Sequence, residues 1–153
     1  ICTPAFLGRR QQHKEFRMQF AMDFRPKEEY EEAGVALVQD DRYHYTFTVR
    51  QKDGARVLTL TEVKNHARTV LAETPLEQDG RIYLTVTATA EGYHFYYGFR
   101  DQEFRLLCKD ADPTLLSSLV NEGFTGTYIG MYATSNHNAS SNYADFDWVL
   151  YEA

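Results

Sequence analysis

Asp145 and Asp147 are the residues of this chain best placed by type and spacing for acid–base chemistry. They stand at i and i+2 in Tyr143 to Tyr151 (YADFDWVLY), a segment that reads as a strand. Side chains two apart on a strand share a face, roughly 6.5–7 Å apart. That separation suits two carboxylates working on either side of a water. A jelly-roll strand armed with Glu-x-Asp-x-x-Glu would supply the acid as well, but the matching positions are Asp145, Asp147 and Leu150. An aliphatic side chain therefore fills the acid's place, and no catalytic residue is assigned. Two readings of the pair stay open. Either these are solvated charges opposite inward Phe146 and Trp148, or they form a structural calcium site completed by backbone carbonyls.

Other reactive types are scattered. His44, His66, His94 and His137 lack the spacing of metal ligands, and Cys2 and Cys108 form no zinc motif, so no metal centre is assigned. Cys108, in the apolar pattern Phe104 to Lys109, reads as a buried free thiol. A disulfide between Cys2 and Cys108 is permitted but not forced. Ser117 and Ser118 lack a nucleophile elbow, and no glycine loop cradles a phosphate. Asn138-Ala139-Ser140 matches a glycosylation sequon. Aromatics are abundant, with eleven Tyr and ten Phe. Most suit cross-strand pairing, while His44, His94 and Tyr96 are the candidates for an exposed sugar platform. Phe124, at a turn tip in Gly-Phe-Thr-Gly, is poorly placed for a core and reads as a partner contact.

These residues need a scaffold, and 153 residues are enough for one domain with a real core. The clearest element runs from Phe16 to Phe24. There Phe16, Met18, Phe20, Met22 and Phe24 alternate with Arg17, Gln19, Ala21 and Asp23, the period of a half-buried strand. Burying those five side chains contributes on the order of 8–15 kcal/mol gross. Pro26 to Glu32 reads as an acidic surface loop. Further short strands follow, separated by Asp53-Gly54, Gln78-Asp79-Gly80 and Glu91-Gly92 turns. Asp112-Pro113 opens the one expected helix, a short one, with Asp112 as its cap. About ten strands with no internal repeat predict an all-β, two-sheet antiparallel sandwich or jelly roll.

A net charge of −6 argues against nucleic acid or an anionic membrane surface as partner. No apolar run approaches the roughly 20 residues of a membrane span. The chain opens on Ile1 with no signal peptide, which reads as a C-terminal piece or a processed product and assigns no compartment. Residues 1–13 are expected as a linker and junction from a preceding domain, and 14–153 as the sandwich. Arg9, Arg10, Gln11, Gln12 and His13 read either as a solvated lead-in or as a hydrogen-bonding polar collar where a preceding domain rests.

Four segments, PAFLGRRQQH, EEAGVALVQDDRYHY, GFTGTYIGMYAT and ADFDWVLYE, together resemble the C-terminal concanavalin A-like domain of glycoside hydrolase family 43. The family's typical members are β-xylosidases and α-L-arabinofuranosidases. The resemblance spans both ends and the middle of the chain. It implies a concanavalin A-like jelly roll that packs on an N-terminal catalytic five-bladed propeller of the same polypeptide. It also implies that the catalytic carboxylates lie in that propeller, and that the position of Phe124 lends an apolar wall to the active-site mouth. The implied substrates are xylo-oligosaccharides or arabinosides, with no cofactor beyond the calcium considered above. An autonomous carbohydrate-binding module and a stand-alone interaction domain are the alternatives.

Overall fold

The computed structural model describes residues 5–112, 127–138 and 140–153. Among these, eleven strands form two antiparallel sheets packed face to face. They are β1 (Ala5–Arg10), β2 (Phe16–Asp23), β3 (Glu32–Asp40), β4 (Tyr43–Lys52), β5 (Ala55–Lys64), β6 (Ala67–Pro75), β7 (Ile82–Thr89), β8 (Gly92–Gly98), β9 (Arg105–Ala111), β10 (Tyr128–Thr134) and β11 (Asp145–Glu152). One sheet runs β1-β10-β3-β4-β5-β6 and the other β11-β2-β7-β8-β9. The all-β sandwich expected from the strand pattern is the fold observed. The helix expected after Asp112 lies outside the described residues.

The period-two stripe of β2 supplies the centre of the core, with all five of its apolar residues buried. From the six-stranded sheet Leu37, Phe47, Leu58 and Leu60 meet Leu84, Val86 and Phe95 from the other, all fully buried. Phe47 and Phe95 meet edge to face at 5.2 Å, a geometry that adds to their area burial. The Asp53-Gly54 hairpin forms as expected, with φ of 51° and 77°. A second two-residue turn, Asn65-His66, adopts φ of 50° and 69° without any glycine, which is why turn composition did not announce it.

Three expectations are corrected. Ala5–Arg10, expected within the linker, is β1, paired in unbroken register with β10. Its approach is close: a Cβ on Gly130 would collide with the Leu7 carbonyl and the Gly8 Cα, so glycine is required where these strands meet. Trp148 does not face inward. A bulge between Phe146 and Trp148 sets Phe146 opposite Met22 and Trp148 opposite Ala21. One extra residue moves the indole to the outer face, where it lies 5.9 Å from the Tyr83 ring. Cys108 is a free thiol as expected, but it is only half-buried. Cys2 lies outside the described residues.

Candidate functional site

The collar Arg9–His13 crosses from the end of β1 to the start of β2, and so from one sheet to the other. Its side chains join the sheets. Gln11 donates its backbone N–H to the Thr127 carbonyl at 2.7 Å and accepts at Oε1 from the Tyr93 hydroxyl at 2.9 Å. Its Nε2 donates to the His13 carbonyl. The Arg9 guanidinium lies 4.1 Å above the Tyr151 ring and donates to Gln12 Oε1. His13 Nδ1 and the Tyr151 hydroxyl are hydrogen-bonded at 2.9 Å, and Phe16 stacks on the same tyrosine ring. Arg10 ends β1 opposite Tyr128. Tyr151 on β11 thus holds the collar from the five-stranded sheet.

Phe124 lies outside the described residues. The stems on either side of 113–126 do not. The Asp112 carbonyl accepts from the Tyr45 hydroxyl at 2.7 Å, and the Thr127 carbonyl accepts from Gln11. Tyr45 and Tyr93 meet edge to face at 6.2 Å. The two stems and the collar therefore share one network at one end of the sandwich. Burial pushes the Tyr93 phenol up to about 12, a rise its bond to Gln11 only partly offsets. Burial likewise pushes the Tyr45 phenol well above its ordinary value, helped by the Glu62 carboxylate. Both phenols remain protonated donors across the physiological range.

The other residues singled out by type do not converge. Asp147 Oδ2 accepts from Arg81 Nη1 at 2.8 Å, and the same guanidinium binds Asp23 Oδ2 through Nε and Nη2. A cation shared between Asp145 and Asp147 would have to displace that guanidinium. The proposed platform is divided between opposite outer faces. His44 lies on the six-stranded sheet, whereas His94 and Tyr96 lie on the five-stranded one. His94 is buried rather than exposed. Its Nδ1 accepts the Asp110 N–H at 3.1 Å, which leaves Nε2 as the protonated nitrogen, hydrogen-bonded to Thr89 Oγ1 at 2.9 Å. Glu91, His94 and Asp110 bring ligand-type atoms within 4.8 Å of one another, yet both imidazole nitrogens are already engaged.

Sequence reasoning missed Glu31. Expected on a solvated acidic loop, it is 4% exposed. Its carboxylate accepts from the N–H groups of Lys27 and Glu28, from the Ser140 hydroxyl and from Asn142 Nδ2. Asn142 also donates to the Arg25 carbonyl at 2.7 Å. Burial alone would raise the Glu31 carboxyl, but the four donors together hold it below its usual range. Nearby, Arg56 donates to the carbonyls of Phe24, Gly80 and Gln78. This second network ties the loops at the end of the sandwich opposite the collar. Two hollows of about 330 and 370 Å³ there share Phe24, Asn142 and the exposed Tyr143.

Comparison with known proteins agrees with this architecture. Residues 2–152 match the family model described as Beta xylosidase C-terminal Concanavalin A-like domain. The chain is 34% identical over 146 residues to the non-reducing end alpha-L-arabinofuranosidase BoGH43B of Bacteroides ovatus, covering 95% of this chain and 27% of that protein. It is 27% identical over 150 residues to a xylosidase/arabinosidase of Butyrivibrio fibrisolvens, covering 98% of this chain and 29% of that one. The solved structure of Bacteroides ovatus Xyloglucan PUL GH43B superposes with a TM-score of 0.89 at 33% identity, over 96% of this chain and 29% of that chain. This chain therefore spans less than a third of the length of each of these relatives. A family match over nearly the whole chain, on a two-sheet sandwich of the matching fold, makes it a member of the C-terminal concanavalin A-like domain family of glycoside hydrolase family 43 β-xylosidases.

Proposed function

We propose that this domain completes an enzyme whose catalytic groups lie elsewhere in the same polypeptide. It packs on an N-terminal catalytic propeller, and the loop bearing Phe124 forms part of the active-site mouth. The enzyme is of the β-xylosidase or α-L-arabinofuranosidase type and removes sugars from xylo-oligosaccharides or arabinosides. Arg9–His13 is the junction that fixes the loop's stems relative to the preceding domain. The observation that supports this reading is the shared network of collar and stems: Tyr45 to Asp112 on one side, and Gln11 to Thr127 on the other. Anchoring at both stems restricts the directions in which a loop can point. An apolar group held at a sugar pocket excludes water and orients the leaving portion of a short substrate.

In the full-length enzyme, Phe124→Ala is expected to lower kcat/KM on short xylosides or arabinosides by about 10- to 100-fold, the loss typical of misplaced substrate. The melting temperature should stay unchanged. Intact kinetics with a lowered melting temperature would make Phe124 a folding residue and overturn the proposal.

A further inference from the structure

The exposed large apolar side chains of the described residues fall on the two lateral sides of the sandwich. One group, Phe6, Leu7, Tyr128, Tyr143, Val149 and Leu150, lies along β1, β10 and β11. The other, Val70, Leu71, Phe104 and Leu106, lies along β6 and β9. The two sides are built differently.

β6 and β9 carry the devices that discourage further pairing. Each meets its neighbour through a β-bulge, β6 ends on Pro75, and β9 carries Arg105, Lys109 and Asp110. Bulges, prolines and charges blunt a sheet edge. The outer strand β1 is different. Its six residues, AFLGRR, are all exposed, they pair with β10 without a register break, and the segment holds neither proline nor acid. Leu7 is 69% exposed. Its neighbour across the sandwich, β11, is the outer strand of the other sheet and begins just after Tyr143, which is 72% exposed. The side-chain contacts described between the collar and Tyr151 bridge these two outer strands at the collar end. β11 has a bulge and acidic residues of its own, so the difference between the sides lies in β1, whose first four positions form an apolar edge with no bulge, proline or charge. Such an edge is normally covered in the working protein.

From this asymmetry we infer that the β1/β11 side is the seat of the preceding catalytic domain, whereas the β6/β9 side faces solvent. The inference rests on the accessory-domain reading and adds to it which surface docks. Its occupant follows from two observations. The family is a C-terminal domain, and the matched relatives extend well beyond it. Any chain that precedes Ala5 arrives at the start of β1, so a preceding domain is tethered at this edge. The seat is continuous with the collar and with the Thr127 stem of the Phe124 loop, so one docked domain reaches both.

Hydroxyl-radical footprinting of the full-length protein tests this without any substitution. Leu7, Tyr143 and Leu150 should be labelled about tenfold more slowly than Leu106 and Val70, as expected for the water-excluded centre of an interface. Leu7→Asp should separate the domains, seen as a larger radius of gyration in small-angle scattering, whereas Leu106→Asp should not. Protection of Leu106 and Val70 instead would overturn the choice of side and leave the accessory role standing. Protection of neither side would overturn both. Protection of Leu7 that appears only as the protein self-associates would assign the edge to a second copy and overturn the inference.

Discussion

The two ends of the sandwich are held by opposite chemistry. At the collar end the key donors are phenols, Tyr45 and Tyr93, whose burial keeps them neutral. At the far end the key acceptor is an ionised carboxylate, Glu31, buried among four donors. A neighbouring carboxylate, Glu73, joins Arg50, Lys52 and Thr59 across β4, β5 and β6. Bonds from Lys52, Thr59 and Arg50 outweigh burial and pull its carboxyl down to about 2. A group whose pKa is lowered on folding stabilises the protein above its unfolded value and loses that contribution as pH falls through the folded value. A phenol raised on folding does the reverse: its contribution holds below the unfolded value and is lost as pH rises through the folded one. Glu31 and Glu73 are thus the acid-sensitive groups, whereas the contribution of the Tyr45 and Tyr93 phenols is lost only in alkali.

The most severe way to break this comparison is Glu31→Ala. It strands buried N–H and hydroxyl donors and should cost about 2–4 kcal/mol, measured as a fall in melting temperature. Backbone amides of Lys27 and Glu28 should exchange faster while those of the collar stay protected. Acid should reproduce a milder version. Between about pH 4.5 and 2, stability should decline as Glu73 takes up its proton, with Glu31, also held below its usual range, adding to the loss, and Glu73→Gln should shrink that decline. A pH profile unchanged by Glu73→Gln would show that its ion pairs contribute nothing net. The smallest effect is expected at the collar. Tyr93→Phe removes one donor to a half-buried glutamine and should cost about 0.5–1.5 kcal/mol, independent of pH from 4 to 9. Acid sensitivity in that variant beyond the wild type's would contradict the division between the ends.

Much of the scaffold was readable from local pattern. The alternation of β2 and the Asp53-Gly54 turn involve residues within a few positions of one another, and period and turn chemistry are local properties. The family resemblance carried the rest of the architecture. What stayed hidden was set by distant partners. Glu31 looks like one more charge in an acidic run, because Ser140 and Asn142, which make its burial tolerable, lie 109 and 111 positions away. The collar's role likewise depends on Tyr93 and Tyr151, far along the chain. Trp148 was misassigned because strict alternation assumes an uninterrupted strand, and a bulge leaves no mark in composition. The platform failed for another reason: His44 and His94 have similar strand contexts but belong to different sheets.

The strand order carries a consequence for how the domain is made. β1 has a single neighbour in its sheet, and that neighbour is β10. The first of these strands to be made therefore waits for residues 128–134 before it can pair, and β2 must wait for β11 to fill its outer side. Both closures span more than a hundred residues, the kind of long-range pairing that makes folding slow. During that interval β1 has no partner among the described strands and β2 has only β7, so both keep an open side on which a wrong pairing can form.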